Sequence, residues 1–588
     1  ELIHAARSIG ARRMLVGELV GSAAQLTISA TITDTRTGKS VQHFVIGPVD
    51  SLPAKIDALA ATLLSMDAGE PRDRMAALTT TSLPALRSFL VGVDAARRSE
   101  HVDAMKGFLG ALDADSTFAL AALGAIEEQG WGAPMPPGGL KRAKDIAWRE
   151  RARLSDLDKL ELYGYIGDTY PTPQSDVAMC RFFKQLIQRA PDRASGWHNY
   201  ADCLYHYGTL STDTSWRSAS RLGFEKSLAL DSTFMPNVEH LIPLAATRRD
   251  TVELKRLIAL IDNGDDNRHD IAENGRWWLK YAQHRPLSEL LAIDSLKHIP
   301  VQWVLESTDD MELADTLAGI IAQRAIAKAP DHRRNKFMAA WDGLIRGQLE
   351  ATHRAIVGDD PQHPDSTQFT NAVLMAMYSE LPEEYAKDAS QKLANRLAAA
   401  PRDSLVRGLR FPLCVVEQWR LWHGDASHTV ATLEVMRSPD PDSVQLPNRR
   451  PSSLMCAQML EAIRATVQKK PNALQLARGV DSMAAGFSRW SSHNNYMRMV
   501  ASRLLELNGD VAGARIAVRR FSYVLSAHIF IEAQLLQDAR LSAKLGDKPA
   551  AISAYRKYLG LHKNADAVGK VRVDQARREL VTLTGERS

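Results

Sequence analysis

Cysteine is scarce in this 588-residue chain. Cys180, Cys203, Cys414 and Cys456 are its only four, with no Cys-x-x-Cys pair and no metal-ligand spacing among them. A disulfide framework and a structural zinc are therefore not expected. Cys180 and Cys203 fall where adjacent helices can bring them together, but four buried free thiols are the expectation. Aromatic residues are few as well, at 6%. With abundant Ala, Leu and Arg, this favours helices over sheets. No run of 18 apolar residues occurs, so no membrane-spanning helix is expected within the chain. Neither charge sign dominates: 73 Lys and Arg face 69 Asp and Glu. A nucleic-acid footprint needs clustered basic residues, and pairs such as Arg519-Arg520 and Arg333-Arg334 read as helix surface. Direct binding of nucleic acid is therefore not expected.

Catalytic signatures are missing too. The sequence has no Gly-x-Gly-x-x-Gly-x-Val loop, no His-Arg-Asp, no Asp-Phe-Gly, no Walker loop, no His-Glu-x-x-His and no Gly-x-Ser-x-Gly. No catalytic residue, cofactor or metal is expected. The seventeen histidines are scattered. Glu239-His240 and His493-Asn494-Asn495 read as isolated polar spots on helix surfaces.

What the chain does contain is repetition. From Leu83 onward the pattern is helix, short turn, helix. Gly92, Ala104, Phe108 and Ala111 place small and bulky residues where two helices of a hairpin approach closely. Ala539, Ala551, Tyr555 and Tyr558 keep the same spacing, as do Ser502, Ala514, Val518 and Phe521. Gly546-Asp547 and Asn508-Gly509-Asp510 sit at the inter-helix turns. Ala190-Pro191-Asp192, Ala329-Pro330-Asp331 and Ala400-Pro401-Arg402-Asp403 close helices, since proline cannot continue one. Leu112-Asp113-Ala114-Asp115-Ser116-Thr117-Phe118 recurs as Leu230-Asp231-Ser232-Thr233-Phe234, with Ser or Asp placed to cap the next helix. This spacing resembles the tetratricopeptide repeat, in which each unit packs on its neighbours and the core grows lengthwise.

The first seventy residues differ. Leu26, Ile28, Ala30 and Ile32 alternate with threonines and Ser29, the period of a strand. Strands are also expected over Met14–Gly21 and Val41–Ile46, with a turn at Thr35–Lys39, and helices over Leu2–Ile9 and Leu52–Met66. Three strands leave sheet edges open, so upstream residues are expected to complete the domain. The run Ile9-Gly10-Ala11-Arg12-Arg13-Met14-Leu15-Val16-Gly17, followed by the hairpin and Asp34-Thr35-Arg36-Thr37-Gly38, resembles the second half of a TolB N-terminal-like domain. Further on, the segments Trp197–Gly208, Leu228–Phe234 and Gly546–Leu559 resemble the C-terminal regions of bacterial, Gemmatimonadota-type, membrane-anchored serine/threonine protein kinases. Similar arrays follow winged-helix activators and adenylate cyclase domains.

The expected fold class is thus mainly α: a tetratricopeptide-type helical-hairpin solenoid preceded by a small partial α/β domain. The expected divisions are residues 1–70 (partial α/β), 71–260 (repeats), 261–450 (degenerate hairpins) and 451–588 (C-terminal repeats). The resemblance implies a non-catalytic binding scaffold in the sensory region of a signalling protein. It places that region outside the cytoplasmic membrane for a kinase, and in the cytoplasm for a winged-helix regulator. An envelope assembly scaffold is the third possibility.

The clearest binding candidate is the helix through Trp197. Trp197, Tyr200, Ala201 and Leu204 form one face, expected to pack inside. His198, Asp202, Tyr205 and His206 form a polar-aromatic stripe, expected either to line a groove for a protein, peptide or small ligand or to be a solvated face. Trp277, Trp278 and Tyr281 read as core packing.

Overall fold

The computed structural model describes residues 2–8, 11, 13–22, 24–35, 38–48, 50, 55–56, 59, 80, 82–172, 174–208, 215–262, 269–291, 310–328, 343–357, 366–439, 449–486, 493–520 and 530–585. The expected Leu52–Met66 helix falls almost wholly outside them. So do the Ala329-Pro330-Asp331 junction, Arg333-Arg334 and Phe521. The protein is mainly helical, with a small antiparallel sheet near the N-terminus. It forms two compact units. The first is Glu1–Ile166, Gln185–Gly196 and Leu230–Pro236; the second is Gly167–Lys184, Trp197–Ala229 and Asn237–Ser588.

In the first unit a short helix, Leu2–Ser8, precedes three strands: β1 (Arg13–Ser22), β2 (Gln25–Asp34) and β3 (Ser40–Gly47). β2 is central and pairs antiparallel with both neighbours, Leu15 opposite Ile32 and Ile32 opposite Val41. Gly38 turns the chain between β2 and β3 with φ +75°, a conformation that an L side chain resists. Helices follow at Leu83–Arg97, His101–Ala114, Ala119–Gly130, Gly139–Arg149 and Asp156–Ile166. Ser82 opens the first by accepting a hydrogen bond from the Ala85 amide at 3.3 Å. Phe89 sits between Phe108 and Phe118, with ring centroids 5.7 and 5.0 Å away.

The Leu83–Arg97 and His101–Ala114 helices touch backbone to backbone. A Cβ built on Gly107 would lie 2.5 Å from the Gly92 Cα, and Gly92, Ala104, Phe108 and Ala111 are all buried as the repeat spacing requires. In an exposed helix Gly→Ala gains about 1 kcal/mol. Here the opposing atoms are backbone and cannot give way, so Gly107→Ala is expected to cost roughly 1–3 kcal/mol of stability. The thermal midpoint of the variant checks the sign of this effect: a rise means that the helices can separate freely.

The repeated Leu-Asp motifs act differently from the expectation. Asp115 accepts from the amide and hydroxyl of Thr117, and Asp231 does the same for Thr233. These are Asx turns that shape the corner. The helix after the first copy begins at Ala119, with Phe118 at its N-cap and no side-chain cap. Helix caps do occur later, where Asp510, Asp547 and Asp566 accept from Gly513, Ala550 and Gly569.

The second unit is built of helical hairpins in chain order, with a large apolar core running from Leu344 to Leu541. The Ile531–Lys544 and Lys548–Leu561 helices pack as a hairpin around Ala539, Ala551, Tyr555 and Tyr558, all buried. Gly509 and Gly546 make the turns with φ +86° and +78°. Ser502, Ala514 and Val518 are buried as well.

Two features depart from the sequence reading. First, the array folds back on itself. Helix Met311–Lys328 packs on Lys548–Leu561, and Leu349–Val357 packs on Ala567–Thr584. Asp566 accepts from the Glu350 amide at 2.7 Å, and a Cβ on Gly569 would lie 2.1 Å from the Gly347 carbonyl oxygen. Contacts are therefore not confined to sequence neighbours. Second, the cysteines are not free thiols. Cys180 is bonded to Cys203 and Cys414 to Cys456, with Cα separations of 5.5 and 6.1 Å. Those distances suit a bridge, and each pair joins two different helices; the adjacency of Cys180 and Cys203 was open to the sequence reading, that of Cys414 and Cys456 was not.

Candidate functional site

The Ala194–Tyr207 helix carries all four predicted groove residues, and the structure divides them. His198 and Tyr205 are buried, whereas Asp202 and His206 remain partly exposed. Trp197, Tyr200 and Leu204, expected to pack inside, are only partly covered, while Asn199, Ala201 and Cys203 are buried. The helix is thus rotated relative to the reading from periodicity. The cause is visible in Cys203, whose bridge to Cys180 turns that side of the helix toward the Asp176–Arg189 helix.

His198 is a core residue. Its Nδ1 lies 3.0 Å from the Asn237 side-chain oxygen and donates to it, and the Asn237 amide donates to Ser227 at 3.0 Å. Burial pushes the imidazole down to about 4, so it is neutral at physiological pH. Its ring packs against Phe224 at 5.6 Å.

Asp202 and His206 converge instead with a residue that the sequence reading set aside, His240. It lies on the Pro236–Thr247 helix and is buried rather than on the surface. The Asp202 Oδ1 is 3.3 Å from the His206 Nε2 and 3.2 Å from the His240 Nε2; the two nitrogens are 3.4 Å apart. One donor atom from each residue thus lies close to the other two. Burial opposes charge on Asp202, but the two imidazoles outweigh it and hold the carboxyl well below the usual carboxylate range. Phe224 stacks on His240 at 4.7 Å, and Tyr205 stands edge-on to His206 and His240 at 5.1 and 5.0 Å. Apolar rings therefore fix both imidazoles. The expectation of no metal-ligating group rested on cysteine spacing and adjacent motifs. Part of a signal was present in the sequence: Asp202 and His206 are one helical turn apart.

Elsewhere, Trp277, Trp278 and Tyr281 are core as expected, and Trp277 Nε1 donates to the Leu290 carbonyl at 3.0 Å. Arg519 and Arg520 pair with Asp538 and Asp481. Where the array folds back, a cleft of about 1060 Å³ opens beside Met311, Ser553, Arg556 and Lys570. Its Lys563 and Arg577 are matched by Glu312 and Asp574. No described helix is long and apolar enough to cross a membrane.

No family model matches the sequence, and no curated protein matches it. Among solved structures, the chain aligns with one titled "Structure of Naa15/Naa10 bound to HypK-THB". The alignment covers 86% of this chain and 82% of that one at 10% identity, with a TM-score of 0.19. Likeness at that level carries no argument about function.

Proposed function

We propose that this chain is a non-catalytic helical-repeat region that binds a protein, peptide or small ligand, and that it works outside the cytoplasmic membrane as the sensory part of a bacterial signalling protein. The observation that carries this reading is the complete pairing of the cysteines. Disulfides persist in oxidising compartments and are rare where glutathione and thioredoxin keep thiols reduced. This weighs for the membrane-anchored kinase arrangement and against a cytoplasmic winged-helix regulator. The repeat hairpins support a binding role, since stacked hairpins present side chains from successive helices on a common face. The partly exposed Asp202 and His206 lie on such a helix.

The compartment is tested in the native cell. After acid quenching, denatured chains are treated with a maleimide-polyethylene glycol, without and with prior reduction. The expected result is no labelling without reductant and four labels after it. Full labelling without reductant places the chain in a reducing compartment and removes the extracytoplasmic reading.

A further inference from the structure

We propose that Asp202, His206 and His240 form a binding site for a single divalent transition cation of the zinc class, with one coordination position left open. Two imidazoles and one carboxylate are a borderline donor set. It suits zinc and its neighbours, whereas calcium and magnesium take oxygen ligands almost exclusively. Spacing gives a second argument. A tetrahedral centre with bonds of about 2.0–2.1 Å separates its ligands by about 3.3–3.4 Å, whereas the cis ligands of an octahedron lie about 2.9 Å apart. The three separations here are 3.2, 3.3 and 3.4 Å. The three donor atoms thus form one face of a tetrahedron of the right size, and a cation at its centre leaves the fourth corner unclaimed by this triad.

The site is also built to hold that shape. Asp202 and His206 share one face of a helix, His240 comes from the Pro236–Thr247 helix, and the rings of Phe224 and Tyr205 restrict both imidazoles. The Cys180–Cys203 bridge anchors the residue next to Asp202. Such support from packed neighbours is what pre-organises a metal site. Access remains, because the side chains of Asp202 and His206 keep 34% and 29% of their exposure while that of His240 keeps 8%. With every cysteine in a disulfide, no thiolate competes for the ion. A three-ligand site with an open corner accepts water or a donor atom from a bound molecule. The inference stands apart from the compartment assigned above.

The test uses the full chain, stripped with a chelator and titrated calorimetrically with zinc chloride, and separately with cobalt chloride followed by visible absorption. The expected result is one zinc per chain and the strong visible bands of four-coordinate cobalt. His206→Gln and Asp202→Asn, confirmed as folded by circular dichroism, are each expected to weaken zinc at least about 100-fold, beyond the loss typical of an outer-shell partner. His423→Gln, an exposed histidine away from the triad, is expected to change nothing. Zinc binding that is equally weak in the wild type and in folded His206→Gln overturns the proposal and leaves a hydrogen-bonded triad. Weak six-coordinate cobalt bands overturn the tetrahedral assignment.

Discussion

Reduction of the two disulfides is expected to cost the second unit about 3–4 kcal/mol for each bridge, from the loops that they close. Those loops span 23 and 42 residues. The Cys414–Cys456 bridge staples the Arg410–Trp422 helix to Arg449–Val467 inside the main apolar core. The Cys180–Cys203 bridge ties Asp176–Arg189 to Ala194–Tyr207. Summed, this should lower the thermal midpoint by on the order of 10 °C or more when a strong reductant is added. Paired substitutions separate the contributions: Cys414→Ser with Cys456→Ser should account for at least half of the shift, because that loop is the longer. A midpoint that does not move, with mass spectrometry showing four reduced thiols, would mean that helix packing alone sets the stability.

How much of this was readable beforehand depends on distance along the chain. Gly92 and Phe108, Gly546 and Asp547, and the alternation from Leu26 to Ile32 are local signals, and the structure places them as read. The Asp115 and Asp231 turns were located correctly but given the wrong partner, because an Asx turn and an N-cap use the same side chain within two or three residues. What failed was everything set by packing between distant segments. His198 and Tyr205 turned inward because neighbouring helices claimed that side of their helix. The fold-back joins Asp566 to Glu350 across 216 positions, and no periodicity reports such a contact. His240 lies between these cases. The Asp202–His206 spacing of one helical turn was readable, but the approach of His240 from the Pro236–Thr247 helix was not.

The fold-back itself should respond to pH. Where Lys548–Leu561 meets the middle hairpins, Glu380, Glu532 and His562 are buried together. His562 Nε2 lies 3.0 Å from Glu380, and Glu532 accepts a hydrogen bond from the Ser379 hydroxyl. Tyr558 and Arg572 also face Glu380. Burial opposes charge on Glu380, but His562 outweighs it and holds the carboxyl low. The same pairing raises His562 against its own burial. On Glu532 the attraction of His562 is outweighed. Burial first, then repulsion from Glu380, pushes it up to about 8 from its ordinary value of 4.5. Between those two values the folded chain holds a proton that the unfolded chain releases, so stability falls as pH rises, by about 1 kcal/mol or slightly more per pH unit. His562 acts in the same direction. Its contribution is full below its unfolded value and is lost as pH rises through its raised folded value. Glu380 acts oppositely, contributing above its unfolded value and losing that contribution only as pH falls through its lowered one. Glu532→Gln keeps the shape and the acceptor for Ser379 while removing the charge. It is expected to flatten the decline in thermal midpoint between pH 5.5 and 8.5 and to leave the variant more stable than the wild type at the alkaline end. Parallel declines in the two proteins would mean that Glu532 does not carry the buried proton, and that the seam is held by the Glu380–His562 pair alone.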